Sequence, residues 1–455
     1  MSASLTPSAG FTSEIVDRAQ VVQFDNLPDD VVELARHSLI DFFACAITGV
    51  GERSVQLLIE EADEQGSRPQ TTVIGNGLRV SPFWSSWING AASHVRVYDD
   101  VNMIIPGHGT ATAMPAAIAW AEHSHASGQD LIEAYVAGYE ASCAIAAVVA
   151  PDHYDMGFHA SATIGSFGAT VAAGRLMKLD SSQMAHALGI AAAMAAGIKG
   201  VFGSMTKCIQ VGRTGATGIM AASLAKRGVT SGENVIEHPQ GFIRTHVPHD
   251  FEVCLRLPQA GHYFLRRNLF KHHAACYMAF ASIECGVLAR NSAGFEIEDV
   301  EDVSIFVNPA AANVCNLQDP TTPLETQYSI RTLTAMAIAG VDTAKTTMML
   351  PIRSARPSVV ALHARSAVKF DPELRDTESR ITVRMKDGAE LEHRIDVGEP
   401  ESDLVVQRQK LESKFIGFTE PILGSTRASN LLSVINQIDQ LETIDGLMSG
   451  SLPGC

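Results

Sequence analysis

Positive charge is scarce in this chain. Against 50 aspartates and glutamates it carries 34 lysines and arginines, a net charge of −16 with the histidines neutral. That balance excludes the electrostatic footprint of a nucleic-acid binder and gives no attraction to an anionic membrane surface. Any site for an acidic ligand must therefore be a local cluster of Lys, Arg and His. The eight cysteines, at 45, 143, 208, 254, 276, 285, 315 and 455, contain no C-x-x-C. This argues against a zinc ribbon or a clustered iron–sulfur motif and predicts reduced, buried thiols. No apolar run of membrane-spanning length is free of Ser, Gln, His or a charge, so no span is expected. The first residues, MSASLTPSAGFTSE, have neither a basic nor an apolar leader region, and a cytoplasmic location is expected.

What the chain does have is a long stretch of small residues, 157–228, almost all Ala, Gly and Ser with aliphatics at helical spacing. Helices of that composition approach closely, because no large side chain holds their backbones apart. Against this background stand His159, Lys207 and Arg213. An ammonium among such helices must find a partner, shift its pKa or bind an anion, unless it snorkels to the surface. A second feature is the stretch 84–110, in which Asp99 and Asp100 lead into the loop Pro106-Gly107-His108-Gly109. Gly- and Pro-rich loops that display Asp and His often carry catalytic groups. No H-x-x-H or H-E-x-x-H spacing occurs within that stretch, so a metal is not expected there.

Helices are predicted over 29–49, 54–65, 114–122, 130–149, 181–197 and 207–226 and through Asn89 and His94 to near Tyr98, with a small hairpin or an extended connection at 71–80. The texture changes near residue 270. A helix over 271–290, a strand over 302–308, a helix over 324–340 and a hairpin over 379–397 follow, and helices return from 402. The expected fold is mainly α: a large all-helical domain, 1–265 plus 401–455, interrupted by a smaller α+β lid domain, 266–400.

Several strings in order resemble the MmgE/PrpD family, which includes 2-methylcitrate dehydratase, cis-aconitate decarboxylase and iminodisuccinate epimerase. They are NGAASHVRVYDD (89–100), HGTATAMPA (108–116), SGQDLIEAYVAGYE (127–140), GFHASATIGSFGA (157–169), MTKCIQVGR (205–213), LAKRGVTSG (224–232) and FKHHAAC (270–276). The resemblance implies a homodimer with no metal and no organic cofactor, acting on a small di- or tricarboxylate by taking a proton from the carbon beside a carboxylate. It places Asp100, His108, His159, Lys207 and Lys271 around the cleft. Asp100, His108, His159 and Lys207 are the catalytic candidates. Lys271, Arg213, His272, Tyr328 and Tyr154 are candidates for holding substrate. A cofactor-independent dehydratase is expected, with an epimerase or a decarboxylase as alternatives and a non-catalytic helical binding protein as a further one. The text Asp99-Asp100-Val101-Asn102 departs from the Asp-Asp-Thr-like signature of the dehydratase and decarboxylase branches.

Overall fold

The computed structural model describes residues 10–248, 261–292 and 295–454. Residues 1–9, Cys254 and Cys455 lie outside the described residues. The fold is mainly α, with a four-stranded mixed sheet and a two-stranded ladder, Thr71–Thr72 against Arg79–Val80.

The helix Asp29–Gly49 has a polar first half with Asp29, Asp30, Glu33 and Arg36 toward the surface, and from His37 onward it is buried on all sides. Around it and behind it pack Pro82–His94, Thr110–Ser124, Gly128–Val149, Gly165–Leu176 and Thr206–Lys226. Small residues set how near these helices come. A methyl group at Gly212 would run into the Trp87 carbonyl, and one at Gly218 into the backbone of Ala169. Thr206–Lys226 therefore lies against two helices at once, and its first turn is delivered to the end of Pro82–His94. Among the described residues one helix, Gly128–Val149, is long and apolar enough to cross a membrane, although it carries Asp130, Glu133 and Glu140; most of it is buried within the fold.

The sheet runs in the order Ser366–Phe370, Val300–Val307, Glu378–Met385, Glu390–Asp396. The first pair is parallel and the other two are antiparallel. Ser366–Phe370 is not foreseen in the sequence; the short helix Pro357–Arg365 carries the crossover to it. The buried core on this sheet extends from Leu269 to Met385 and takes in Cys45, Val97, Tyr98 and Val101. The sheet-bearing part thus packs directly on the 97–101 loop. Helix Leu404–Leu423 returns to Asp29–Gly49, where Lys414 meets Asp41 in a buried ion pair.

Three expected elements differ in ways with physical causes. The helix over 271–290 begins only at Phe280. Ahead of it, the Ala274 and Cys276 N–H groups donate to the Thr343 and Gln327 carbonyls at 2.9 Å each, so tertiary bonds replace the helical ladder. The helix over 324–340 is broken at 327–329, and Ser329 starts a new one by accepting from the Thr332 N–H. The helix over 181–197 is capped by Asp180 and ends at Met194. Arg213 donates to the freed carbonyls of Met194 (3.2 Å) and Ala196 (2.6 Å).

Candidate active site

A cavity of about 430 Å³ opens between the 97–108 loop, the segment before helix Ala160–Thr163, the start of Thr206–Lys226 and the 271–278 segment. His108, His159, Lys207, Lys271, Tyr154 and Tyr328 all line it. The size suits a small polyacid.

Behind the cavity wall sits Asp99. Its Oδ2 lies 2.8 Å from His94 Nδ1 and 2.9 Å from His108 Nδ1. His108 Nδ1 is also 2.8 Å from the Asp100 carbonyl. A carboxylate and a carbonyl only accept, so Nδ1 of His108 carries the hydrogen and Nε2 is left with its lone pair. By the same reasoning His94 donates from Nδ1. Its Nε2 then accepts from the Lys207 ammonium at 2.6 Å. Asp99, His94 and Lys207 form one polarised chain. Burial, the positive charge of Lys207 and the His108 imidazole hold His94 down to about 3, and Asp99 only partly offsets them. Burial pulls His108 down to about 4, Lys271 and Lys207 adding to it. Both imidazoles are neutral at pH 7. Although burial opposes it, the two histidines keep Asp99 well below the usual carboxylate range.

His159 has the opposite tautomer. The Gln210 side-chain oxygen accepts from the Ile198 N–H at 3.1 Å, and its nitrogen donates to the Ile198 carbonyl at 3.2 Å. That backbone pair fixes which end of the amide is which. The Gln210 nitrogen is 2.7 Å from His159 Nδ1, which must therefore accept, and Nε2 carries the hydrogen. Burial and then Lys207 keep this ring neutral too. One cavity thus holds a basic imidazole nitrogen and an imidazole N–H donor.

The two lysines are buried. Burial draws Lys207 down to about 8 and lowers Lys271 as well. Lys271 Nζ donates to the Val97 carbonyl at 3.0 Å. Val97 has φ of 56°, a left-handed conformation that a β-branched residue adopts only under constraint, and strain of this kind gathers at functional sites. The Tyr328 hydroxyl is buried with no hydrogen-bond partner among the described residues, a donor left for a ligand. The Tyr154 ring carries Lys199 Nζ at 3.7 Å from its centre, and Lys199 also lines the cavity.

Three candidates are placed elsewhere. Asp100 does not face the cavity: its carboxylate accepts from Thr110 and Asn268, and burial with Asp41 beside it raises it to about 8. Only its carbonyl touches His108, and the carboxylate that orients the histidines is Asp99. Arg213 caps the end of Ser181–Met194 and is absent from the cavity wall. His272 lies outside the cavity, because the irregular 271–279 segment turns successive side chains in different directions.

His94 and Gln210 were not singled out from the sequence. Gln210 follows Lys207 by three residues on one helix, which puts both on one face, so that spacing held a usable signal. His94, at the end of a small-residue helix five residues before Asp99, had none beyond its place in the NGAASH string. His94, Asp99 and His108 offer three ligand atoms within 4.8 Å of one another. Their separations fit N–H···O bonds, and the Lys207 ammonium against His94 opposes a cation there.

Close-packed helices and a small mixed sheet frame a cavity lined with lysines and histidines, groups that attract anions. The MmgE/PrpD N-terminal domain matches residues 13–253 and the MmgE/PrpD C-terminal domain matches residues 273–440. The chain belongs to the MmgE/PrpD family. It is 30% identical over 251 residues to cis-aconitate decarboxylase of Aspergillus terreus, a match covering 53% of this chain and 50% of the relative. The chain thus spans about half the length of that relative. It is 22% identical to cis-aconitate decarboxylase of Homo sapiens over 453 residues, 94% of this chain and 92% of the relative. The Mus musculus protein of the same description is 20% identical over 440 residues.

Proposed function

We propose that this protein is a lyase that removes the proton beside a carboxylate of a small hydroxy-di- or tricarboxylate and eliminates water. The observation that carries the reading is the pair of opposite tautomers, His108 with a free Nε2 and His159 with an Nε2–H, in one cavity with Lys207 and Lys271. His108 takes the proton. Charge then builds on the adjacent carboxylate, and the two buried ammoniums stabilise it in a low-dielectric site. His159 N–H and the Tyr328 hydroxyl orient the substrate. Residues 266–400 act as a lid that excludes water while that charge persists. The working form in this reading is a homodimer without metal or organic cofactor.

A second reading, loss of CO₂ followed by protonation of the same carbon, is favoured by the cis-aconitate decarboxylases among the relatives. Incubation in D₂O with citrate-like, malate-like and aconitate-like acids, followed by proton NMR, separates the two. Dehydration is expected to give an alkene signal together with exchange of the α-hydrogen. Release of CO₂ with deuterium gained establishes decarboxylation. Neither exchange nor conversion of any acid overturns both.

A further inference from the structure

Besides the histidines, four cationic side chains line the cavity: Lys199, Lys207, Lys271 and Arg375. Three of them already meet an acceptor. Lys207 has His94 Nε2, Lys271 has the Val97 carbonyl, and Arg375 has the Asp396 carboxylate. Lys199 has neither an ion pair nor a hydrogen bond from its ammonium among the described residues. Its Nζ rests instead on the Tyr154 ring, 3.7 Å from the centre. Asp155 and Asp376 belong to the same wall, and neither is ion-paired with it.

We propose that Lys199 binds the carboxylate remote from the reacting carbon, so that the site favours a tricarboxylate over a dicarboxylate; this rests on the lyase reading above and assigns a residue to the selection of its substrate.

Backbone pairing fixes where Lys199 points. Segments 157–159 and 197–199 run antiparallel through a bridge between Phe158 and Ile198. The His159 N–H donates to the Gly197 carbonyl at 3.1 Å, and the Lys199 N–H to the Gly157 carbonyl at 2.8 Å. Alternate residues of such a pair share a face, which puts His159 and Lys199 on one side and Phe158 and Ile198 on the other. The contacts agree: His159 and Lys199 line the cavity, while Phe158 stacks on His153 and Ile198 is exposed. Diagonal neighbours across an antiparallel pair start about 7–8 Å apart, a gap that a long lysine and a branched polyacid close between them. Gln210 clamps the same pair, holding both backbone groups of Ile198 and His159 Nδ1. The half-buried ammonium and the imidazole N–H donor are thus held on one frame.

Charge favours the same assignment. The Tyr154 ring supports the ammonium from one face and leaves N–H donors for an anion. A carboxylate forms the stronger, charge-assisted hydrogen bond with it. With Arg375 offset by Asp396, Lys199 is what counters Asp155 and Asp376 where a third carboxylate would lie.

The test compares acids that differ by one arm. Malate is citrate with one CH₂–COO⁻ arm replaced by hydrogen, and succinate stands in the same relation to tricarballylate. Tricarballylate and succinate have no hydroxyl to lose, so calorimetry reads their binding alone. The parent protein is expected to prefer tricarballylate. Lys199→Met, which keeps the stem and removes the charge, should lower that preference about tenfold or more, the scale of a lost hydrogen bond to a charged group. Lys199→Arg should restore most of it, and the citrate-to-malate ratio of kcat/KM should fall and recover in parallel. A preference in Lys199→Met within threefold of the parent's overturns the proposal. So does equal weakening of both acids, or a parent with no preference. Each of these leaves the lyase reading standing if the parent exchanges or converts an acid. A parent protein that does neither with any acid overturns that reading and this role with it.

Discussion

Asp99→Asn is the sharpest test of how the site works. The substitution keeps shape and an accepting oxygen but removes the charge that both His94 and His108 face at 2.8 and 2.9 Å. When His108 takes a proton, its imidazolium forms about 4 Å from that charge, measured between centres. At an effective dielectric of about 20 the attraction is ~4 kcal/mol. With the proton about half transferred in the transition state, ~2 kcal/mol of this is lost, about 30-fold in rate. The asparagine amide can also present its N–H₂ to Nδ1 and reverse the tautomer, which deepens the loss toward about 10³-fold. The assay is α-proton exchange by NMR across a pH series, with circular dichroism confirming the fold. His108 acts as a base only when neutral, so activity rises with pH through its pKa of about 4. Losing the anion lowers that pKa further, and the acid limb moves to lower pH. Exchange within threefold of the parent at pH 7, or an acid limb that moves up, refutes the assignment of Asp99 as the residue that orients His108.

Two further perturbations follow from the same geometry. Gln210→Glu puts an acceptor where His159 Nδ1 now accepts, forces the hydrogen onto Nδ1 and strips the donor from Nε2. KM for a tricarboxylate should rise at least tenfold, and an unchanged KM would show that His159 does not hold substrate. Lys414→Met leaves Asp41 buried without its counter-charge and frees the Tyr98 carbonyl, which Lys414 holds at 2.7 Å. Loss of one partner of such a pair costs about 3–5 kcal/mol. Urea unfolding should show that loss, and a change below about 1 kcal/mol would mean the pair is not what closes the core there.

Much of this architecture is legible in the residue pattern, because apolar periodicity and small-residue runs act locally. The opening helix, the long helix ending at Lys226 and the hairpin around Lys386-Asp387-Gly388 all follow from short-range rules. The site is legible in its cations and histidines, which look out of place among Ala and Gly. It is not legible in its wiring. Whether Asp99 or Asp100 orients a histidine depends on which neighbour faces the cavity, and adjacent acids have equal claims in the sequence. The fate of Arg213 was hidden for a similar reason: the helix Ser181–Met194 ends three residues short of the expected 197 and exposes the carbonyls it satisfies. The false helix at 271–279 arises because good helix formers were recruited into tertiary hydrogen bonds, which outweigh a propensity of a few tenths of a kcal/mol per residue.

The Asp41–Lys414 pair joins residues 373 positions apart. During synthesis at about 5–20 residues per second, Asp41 leaves the ribosome roughly 20 to 75 s before its partner exists. For that interval the face of Asp29–Gly49 destined for Leu404–Leu423 has nothing to lie against. The segment matched by the N-terminal family domain therefore emerges with a seam open along its central helix, anionic at one point and apolar around it. Such a nascent chain is a natural client for a chaperone that shields hydrophobic surface, and the loop at 97–101 is held from behind only once the last helices have been made.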